Sequence, residues 1–273
     1  MVEVLVHFVA PALVGVLIGI ASGLLGIGGG TVMVPIFRLA FGMSATVSTA
    51  TSLFAIIPTS ISGAISHVKG KTCIPALGIA AGLGGACLSP VGVWLAQLSP
   101  DWLVMLAAAL IIGYSAINMF KKAFKLRPAG QPAAGVDASA PTADDSSLSR
   151  KQLLQGAAIG LVAGLASGYV GVGGGFIMVP LMLSIIGIPM RKASGTSLIA
   201  VMILAIPGVI EQGVIGNINY LAGIAIVIGT IPGAVIGARL VTKVPERTLR
   251  LLFGCFLIVA AVMLVLNEVG IFE

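Results

Sequence analysis

Two glycine triplets, Gly28-Gly29-Gly30 and Gly173-Gly174-Gly175, are the residues of this chain with the clearest chemical use. Each interrupts an apolar stretch and is followed by a short apolar arm that opens on Thr31 or Phe176 and carries a proline, Pro35 or Pro180, about one turn in. A helix that restarts after such a break presents its unpartnered first-turn amides and the positive end of its dipole to the break. Those groups bind anions. Each helix end is equivalent to about half an elementary charge, so two facing ends match about one negative charge. Hydroxyls at Thr51, Ser52, Thr196 and Ser197 recur at matching positions near helix starts. They are candidates to line the same site, or else bond back to the preceding turn. The interiors of the apolar runs hold no Lys, Arg, Asp or Glu. Their absence argues against a carboxylate-based metal or sodium carrier and against an ordinary proton relay, which use intramembrane acids. Cys73, Cys87 and Cys255 are an odd number without CxxC or metal-ligand spacing. They are expected as small residues between helices. No catalytic residue, metal or cofactor is expected.

The elements that position the glycines come from a duplication. Ala21–Pro35 returns 145 positions later as Ala166–Pro180, with ten of fifteen pairs identical. Thr51-Ser52-Leu53 matches Thr196-Ser197-Leu198 at the same offset, as do Gly63 with Gly208, Gly84 with Gly229, Pro100 with Pro245 and His67 with Gln212. His67 and Gln212 close helix ends, as gate or interfacial cap. With 58% hydrophobic and 9% charged residues and a mean hydropathy of +1.14, the chain lies far outside soluble composition. Its apolar runs reach the length of about 20 residues needed to cross a bilayer and lack barrel alternation. The fold class is an all-α integral membrane protein. Residues 1–124 form a first membrane repeat, 125–152 an Ala/Pro/Ser-rich disordered cytoplasmic linker, and 153–273 a second repeat. In each repeat a glycine-broken re-entrant hairpin precedes three transmembrane helices, giving eight to ten membrane segments. Met1 to Gly15 has neither a basic n-region nor an Ala-x-Ala site and reads as the start of the first helix.

Charge sets the orientation. Lys and Arg accumulate in short cytoplasmic loops. With the linker inside, fourteen of the fifteen basic residues fall on the cytoplasmic face, and Arg38 alone falls outside. The net charge of +6 therefore reports topology and not nucleic-acid binding. An odd number of crossings per half turns the two repeats upside down relative to one another and places both termini outside. A break at membrane depth is tolerated only where it is buried in protein or lines a wet cavity, because each unpaired amide in hydrocarbon costs several kcal/mol. Inverted repeats with interrupted helices build many secondary transporters, whose sites lie where the repeats meet near the midplane.

The glycines and cysteines have four other possible uses. The triplets could be close-packing surfaces between helices. As phosphate loops they would need a strand and a soluble βαβ unit, which this apolar chain lacks. The cysteines could carry a sulfur relay, and a passive anion channel would share the same breaks. The doubled Gly-x-Gly-Gly-Gly with its downstream proline, and Thr-Ser-Leu after each, resembles the TauE/SafE family, the sulfite exporter family of bacterial membrane proteins. The resemblance covers both halves and omits only the linker and the extreme ends. It implies a transporter of sulfite, sulfonate, sulfoacetate or related small sulfur-containing anions in a bacterial inner membrane. The expected partners are that anion, a possible coupling ion and the lipid bilayer.

Overall fold

The computed structural model describes residues 10–125 and 149–268. Their regular structure is helical. The first half holds α1 (Ala10–Leu25), α2 (Gly30–Phe41), α3 (Ala45–Lys69), α4 (Pro75–Leu98) and α5 (Asp101–Lys125). The second holds α6 (Arg150–Val170), α7 (Gly175–Leu181) running into a π-helical turn (Met182–Ile186), α8 (Met190–Ile215), α9 (Tyr220–Leu240) and α10 (Glu246–Glu268). From α2 and α7 onward, corresponding helices begin at the same 145-residue offset. Local chemistry explains several starts. The Ser44 hydroxyl accepts from the Val47 amide at 3.3 Å, the Asn219 side chain accepts from the Ala222 amide at 3.1 Å, and Pro75 stands at the first helical position.

Ser149 and Gln152 form a capping box, so α6 begins at Arg150, inside the stretch that composition assigns to the linker. Lys125 likewise closes α5. The remaining linker residues, 126–148, lie outside the described residues, as do both chain ends. Among the described residues, seven helices are long and apolar enough to cross a membrane: α3, α4, α5, α6, α8, α9 and α10. With 21 residues, α6 is itself long and apolar enough to cross. The short arms are α2 and α7 with its π turn. Leu17, Leu110 and Val214, among many large apolar side chains, point outward, as they do where the surrounding solvent is lipid.

The helices outrun the apolar runs and carry charge toward their ends. Lys122 lies within α5 and Glu211 within α8. The Lys122 ammonium donates to the Pro180 carbonyl at 3.1 Å and to the Ser184 hydroxyl, and so ties α5 to the arm that follows the second break.

Glycines spaced by four bring the two halves together. Gly15, Gly19 and Gly23 of α1 lie against Ile226, Thr230 and Ala234 of α9 in the same order, so these helices run parallel. Gly160, Gly164 and Gly168 of α6 lie against Ala81, Gly85 and Ser89 of α4 in the repeat-equivalent arrangement. A Cβ on Gly15 would stand 2.5 Å from the Ile226 carbonyl oxygen, so the backbones are in direct contact, as small-residue membrane interfaces require. Helices α3 and α8 cross at the centre: Gly63 faces Leu198, and Leu53 faces Gly208. That order is antiparallel, so these corresponding helices point in opposite directions. At the periphery α5 and α10 pack together, with the Phe120 ring against Gly254.

Candidate functional site

Both breaks are built from left-handed glycines. Gly26, Gly28 and Gly29 have φ of 76°, 81° and 85°, and their repeat mates Gly171, Gly173 and Gly174 have φ of 72°, 88° and 68°. A residue with a Cβ loses about 1–2 kcal/mol there, which is why the sequence keeps glycine at these positions. Each triplet therefore interrupts the helical path. Close helix packing also falls on the glycines of α1, α4, α6 and α9.

The two breaks touch. A Cβ on Gly30 would lie 2.6 Å from the Val172 carbonyl oxygen, and one on Gly175 would lie 2.5 Å from the Gly26 carbonyl oxygen. Gly28 and Gly173 both lie beside Ile56 of α3 and Val201 of α8, which are themselves repeat mates near the middle of their helices. Residues 145 apart in sequence thus converge on one place, halfway along the two central helices.

At the restarts, the Val32 and Met33 amides bond to the Gly29 carbonyl at 3.3 and 3.2 Å, and the Ile177 and Met178 amides bond to Gly174 at 3.1 and 3.0 Å. Five hydroxyls near this place are fully buried without a hydrogen-bond partner: Ser22, Thr31, Ser52, Ser60 and Ser167. Ser60 stands against Gly28, Ser22 against Gly29 and Ser167 against Gly174. A buried unpartnered hydroxyl costs about 1–3 kcal/mol, so a cluster of them is a feature to be explained. Sequence reasoning missed Ser22, Ser60 and Ser167. The signal for two of them was present, because Ser22 and Ser167 are identical members of the duplicated stretch. Ser60 has Ala205 as its repeat mate and carried no signal.

The other candidates divide. Ser197 donates into the first break, with the Gly26 carbonyl at 2.7 Å and the Ser194 carbonyl at 2.8 Å. Its mate Ser52 has no such bond. Phe176 is buried in the core and gives the second restart no hydroxyl where the first has Thr31. Thr51 and Thr196 are spent elsewhere. Thr51 accepts from the Asn219 amide at 3.0 Å and Thr196 from the Ile74 amide at 2.9 Å, so each caps the start of a helix in the other half. His67 is buried at the end of α3. Its Nε2 lies 2.8 Å from the Gly23 carbonyl oxygen and its Nδ1 lies 2.7 Å from the Thr72 hydroxyl. Gln212 accepts from the Asn217 side chain at 2.8 Å. Cys73 is buried while Cys87 and Cys255 are exposed, and none of the three forms a disulfide. Among the described residues no group of three His, Cys, Asp or Glu gathers to hold a metal. A cleft of about 850 Å³ opens between α4, α5, α6 and α7, with Ile177 and Pro180 on one wall and Asn118 and Lys122 on another.

Two touching helix breaks, set among helices long and apolar enough to cross a membrane, mark a multi-pass α-helical membrane protein. The chain belongs to the sulfite exporter TauE/SafE family, whose model matches residues 11–264. Membership places it among membrane transporters. It is 28% identical over 281 residues to the probable membrane transporter protein YunE of Bacillus subtilis, covering 97% of this chain and 99% of that one. It is 29% identical over 275 residues to a probable membrane transporter protein of Haemophilus influenzae, covering 93% and 97% of the two chains. A second Bacillus subtilis relative, YdhB, also a probable membrane transporter protein, is 28% identical over 239 residues, covering 87% of this chain and 92% of its own. No solved structure matches the chain.

Proposed function

We propose that the two breaks form one binding site for a small sulfur-containing anion of the sulfite, sulfonate or sulfoacetate class, moved across the bacterial inner membrane by alternating access. The observation that carries this reading is the set of buried, unpartnered hydroxyls around the touching breaks. Hydroxyls are donors in want of an acceptor, and an oxyanion supplies several acceptor atoms at once. The dipole ends add about one positive charge, which fits a monoanion. The site residues are Gly28, Gly29, Gly30, Thr31, Gly173, Gly174, Gly175, Phe176, Ser52 and Ser197, with Ser22, Ser60 and Ser167 added. Uptake of labelled sulfite and of alkyl sulfonates by reconstituted vesicles tests the reading. Saturable flux that persists when Cys73, Cys87 and Cys255 are all serine is expected. Loss of flux in that variant would favour a sulfur relay. Flux indifferent to any ion gradient would favour a channel, and absence of flux for every sulfur oxyanion overturns the assignment.

In the same reading the repeats are inverted across the membrane, with the linker cytoplasmic and both termini outside. The antiparallel crossing of α3 and α8 and the one-sided distribution of basic residues support it. Pro100 and Pro245 are exposed repeat mates in equivalent turns. Single cysteines placed at the two positions, in the cysteine-free background, should react with an impermeant maleimide from opposite faces: Pro100→Cys from outside and Pro245→Cys only after permeabilisation. Labelling from one face would refute the inversion.

A further inference from the structure

We propose that His67 carries the proton that travels with the anion, so that the coupling ion is H⁺; this rests on the anion site described above. The surroundings of the ring are built for both of its charge states. Nε2 faces the Gly23 carbonyl oxygen, which only accepts, so that nitrogen keeps its hydrogen throughout. Nδ1 faces the Thr72 hydroxyl, which both donates and accepts. In the neutral ring the Thr72 hydrogen points to the Nδ1 lone pair. When a proton arrives, Nδ1–H donates to the Thr72 oxygen, and the hydroxyl hydrogen turns to the His67 carbonyl oxygen, 3.3 Å away. One N–H bond forms, and each ring nitrogen keeps its partner. Thr72 is half-exposed and gives a route from the surface to a ring that is itself fully buried.

The position couples the proton to the breaks. His67 sits in the last turn of α3, and its acceptor, Gly23, sits in the last turn of α1, two residues before that helix ends at the first break. Two C-terminal helix ends therefore meet at the imidazole, each equivalent to about half a negative charge. Beyond the break, the start of α2 favours an anion by the same rule. Proton and anion then occupy opposite sides of one interruption, and each stabilises the other across a medium of low dielectric.

The ionisable groups on the packed elements add to this. Lys69 and Lys71 are exposed beside the ring, and α8 contributes Arg191, bonded to the Val244 carbonyl at 2.9 Å, and Lys192. Arg239 is exposed at the end of α9, Cys73 is a buried thiol, and α1 has no ionisable group among its described residues. The charged groups are all cations, so the ring holds its proton best when an anion is present. The repeat mate, Gln212, cannot titrate. The two halves are unequal at this position.

Gln212 also supplies the test, because it shows the side chain the fold accepts there. In vesicles carrying a pH dye, adding an alkyl sulfonate, which has no proton of its own to release near neutrality, should in the wild type move protons with the anion, and an inward pH gradient should drive accumulation. In His67→Gln both effects should fall at least tenfold, while sulfite–sulfite exchange stays within about twofold of wild type, since exchange needs the site but no net proton transfer. A His67→Gln protein that still moves protons with the sulfonate overturns the inference. Wild-type exchange without proton movement also overturns it and leaves the anion site standing, whereas no wild-type exchange sinks the anion site itself. If His67→Gln fails to fold, the His67 ring in an otherwise native protein bearing His7→Gln can be titrated by NMR. Saturating sulfite should raise its midpoint by about one pH unit, by the reciprocity of coupled binding. An unmoved midpoint refutes the coupling.

Discussion

Gly30→Ala and Gly175→Ala, each the addition of one methyl group, will weaken sulfite binding tenfold or more while the protein remains helical and inserted. Neither glycine has a left-handed backbone, so the substitution brings no conformational strain of its own. Its effect is the distance between the breaks. The new carbon on Gly30 would stand 2.5 Å from the Ile56 side chain and 2.6 Å from the Val172 carbonyl oxygen. The one on Gly175 would stand 2.5 Å from the Gly26 carbonyl oxygen and 2.9 Å from the Ile27 Cα. Carbon atoms settle about 3.5–4.0 Å from their neighbours, so one break must withdraw from the other by about 1 Å. A shared site loses its geometry over such a displacement, and a tenfold loss requires only about 1.4 kcal/mol. Gly113→Ala in α5 is the control, because nothing lies within 4 Å of its added carbon. Equilibrium binding of labelled sulfite to detergent-purified protein, with circular dichroism and size exclusion as checks of folding, reads the result. Wild-type affinity in both variants would show that the close approach is packing alone. Gly29 and Gly174 are less clean positions, since their φ of 85° and 68° adds backbone strain to any steric effect.

The combined variant Ser22→Ala, Ser60→Ala, Ser167→Ala should do what few active-site changes do, raising stability as it removes function. Each hydroxyl is buried and unpartnered, and its removal relieves a desolvation penalty of about 1–3 kcal/mol in the empty protein. The cavity left by one oxygen atom is small and offsets only part of that gain. With sulfite bound, the same hydroxyls are donors to the anion, and their loss removes hydrogen bonds worth about 1.5–3 kcal/mol each to a charged acceptor. Two measurements decide the matter: the melting temperature in detergent, expected to hold or rise, and sulfite affinity, expected to fall by a hundredfold or more. A lower melting temperature with unchanged affinity would assign the three serines to structure and not to the ligand.

Much of the fold was legible because its signals are local. Hydropathy marked the spans, the duplicated stretch marked the repeat, and a glycine triplet inside apolar sequence marked each break. Helix ends were less legible. Composition cannot see that Ser149 and Gln152 cap each other, so it placed Arg150 in the linker. Nor can it see that the Pro180 carbonyl receives the Lys122 ammonium inside the fold, which lets α5 carry charge past the apolar run.

The sequence by itself determined that this is a helical membrane protein of two like halves, each with a glycine interruption, because hydrophobicity and backbone freedom belong to adjacent residues. Only the tertiary structure decided that the interruptions touch, that Thr51 and Thr196 cap helices of the opposite half, and that Ser22, Ser60 and Ser167 are left without partners. The same holds for the imidazole of His67, set between the ends of two helices. Each of these is a contact or a hydrogen bond, made or left unmade, between residues brought together by packing. Whether a buried hydroxyl is satisfied depends on what the fold sets beside it, often more than a hundred positions away along the chain.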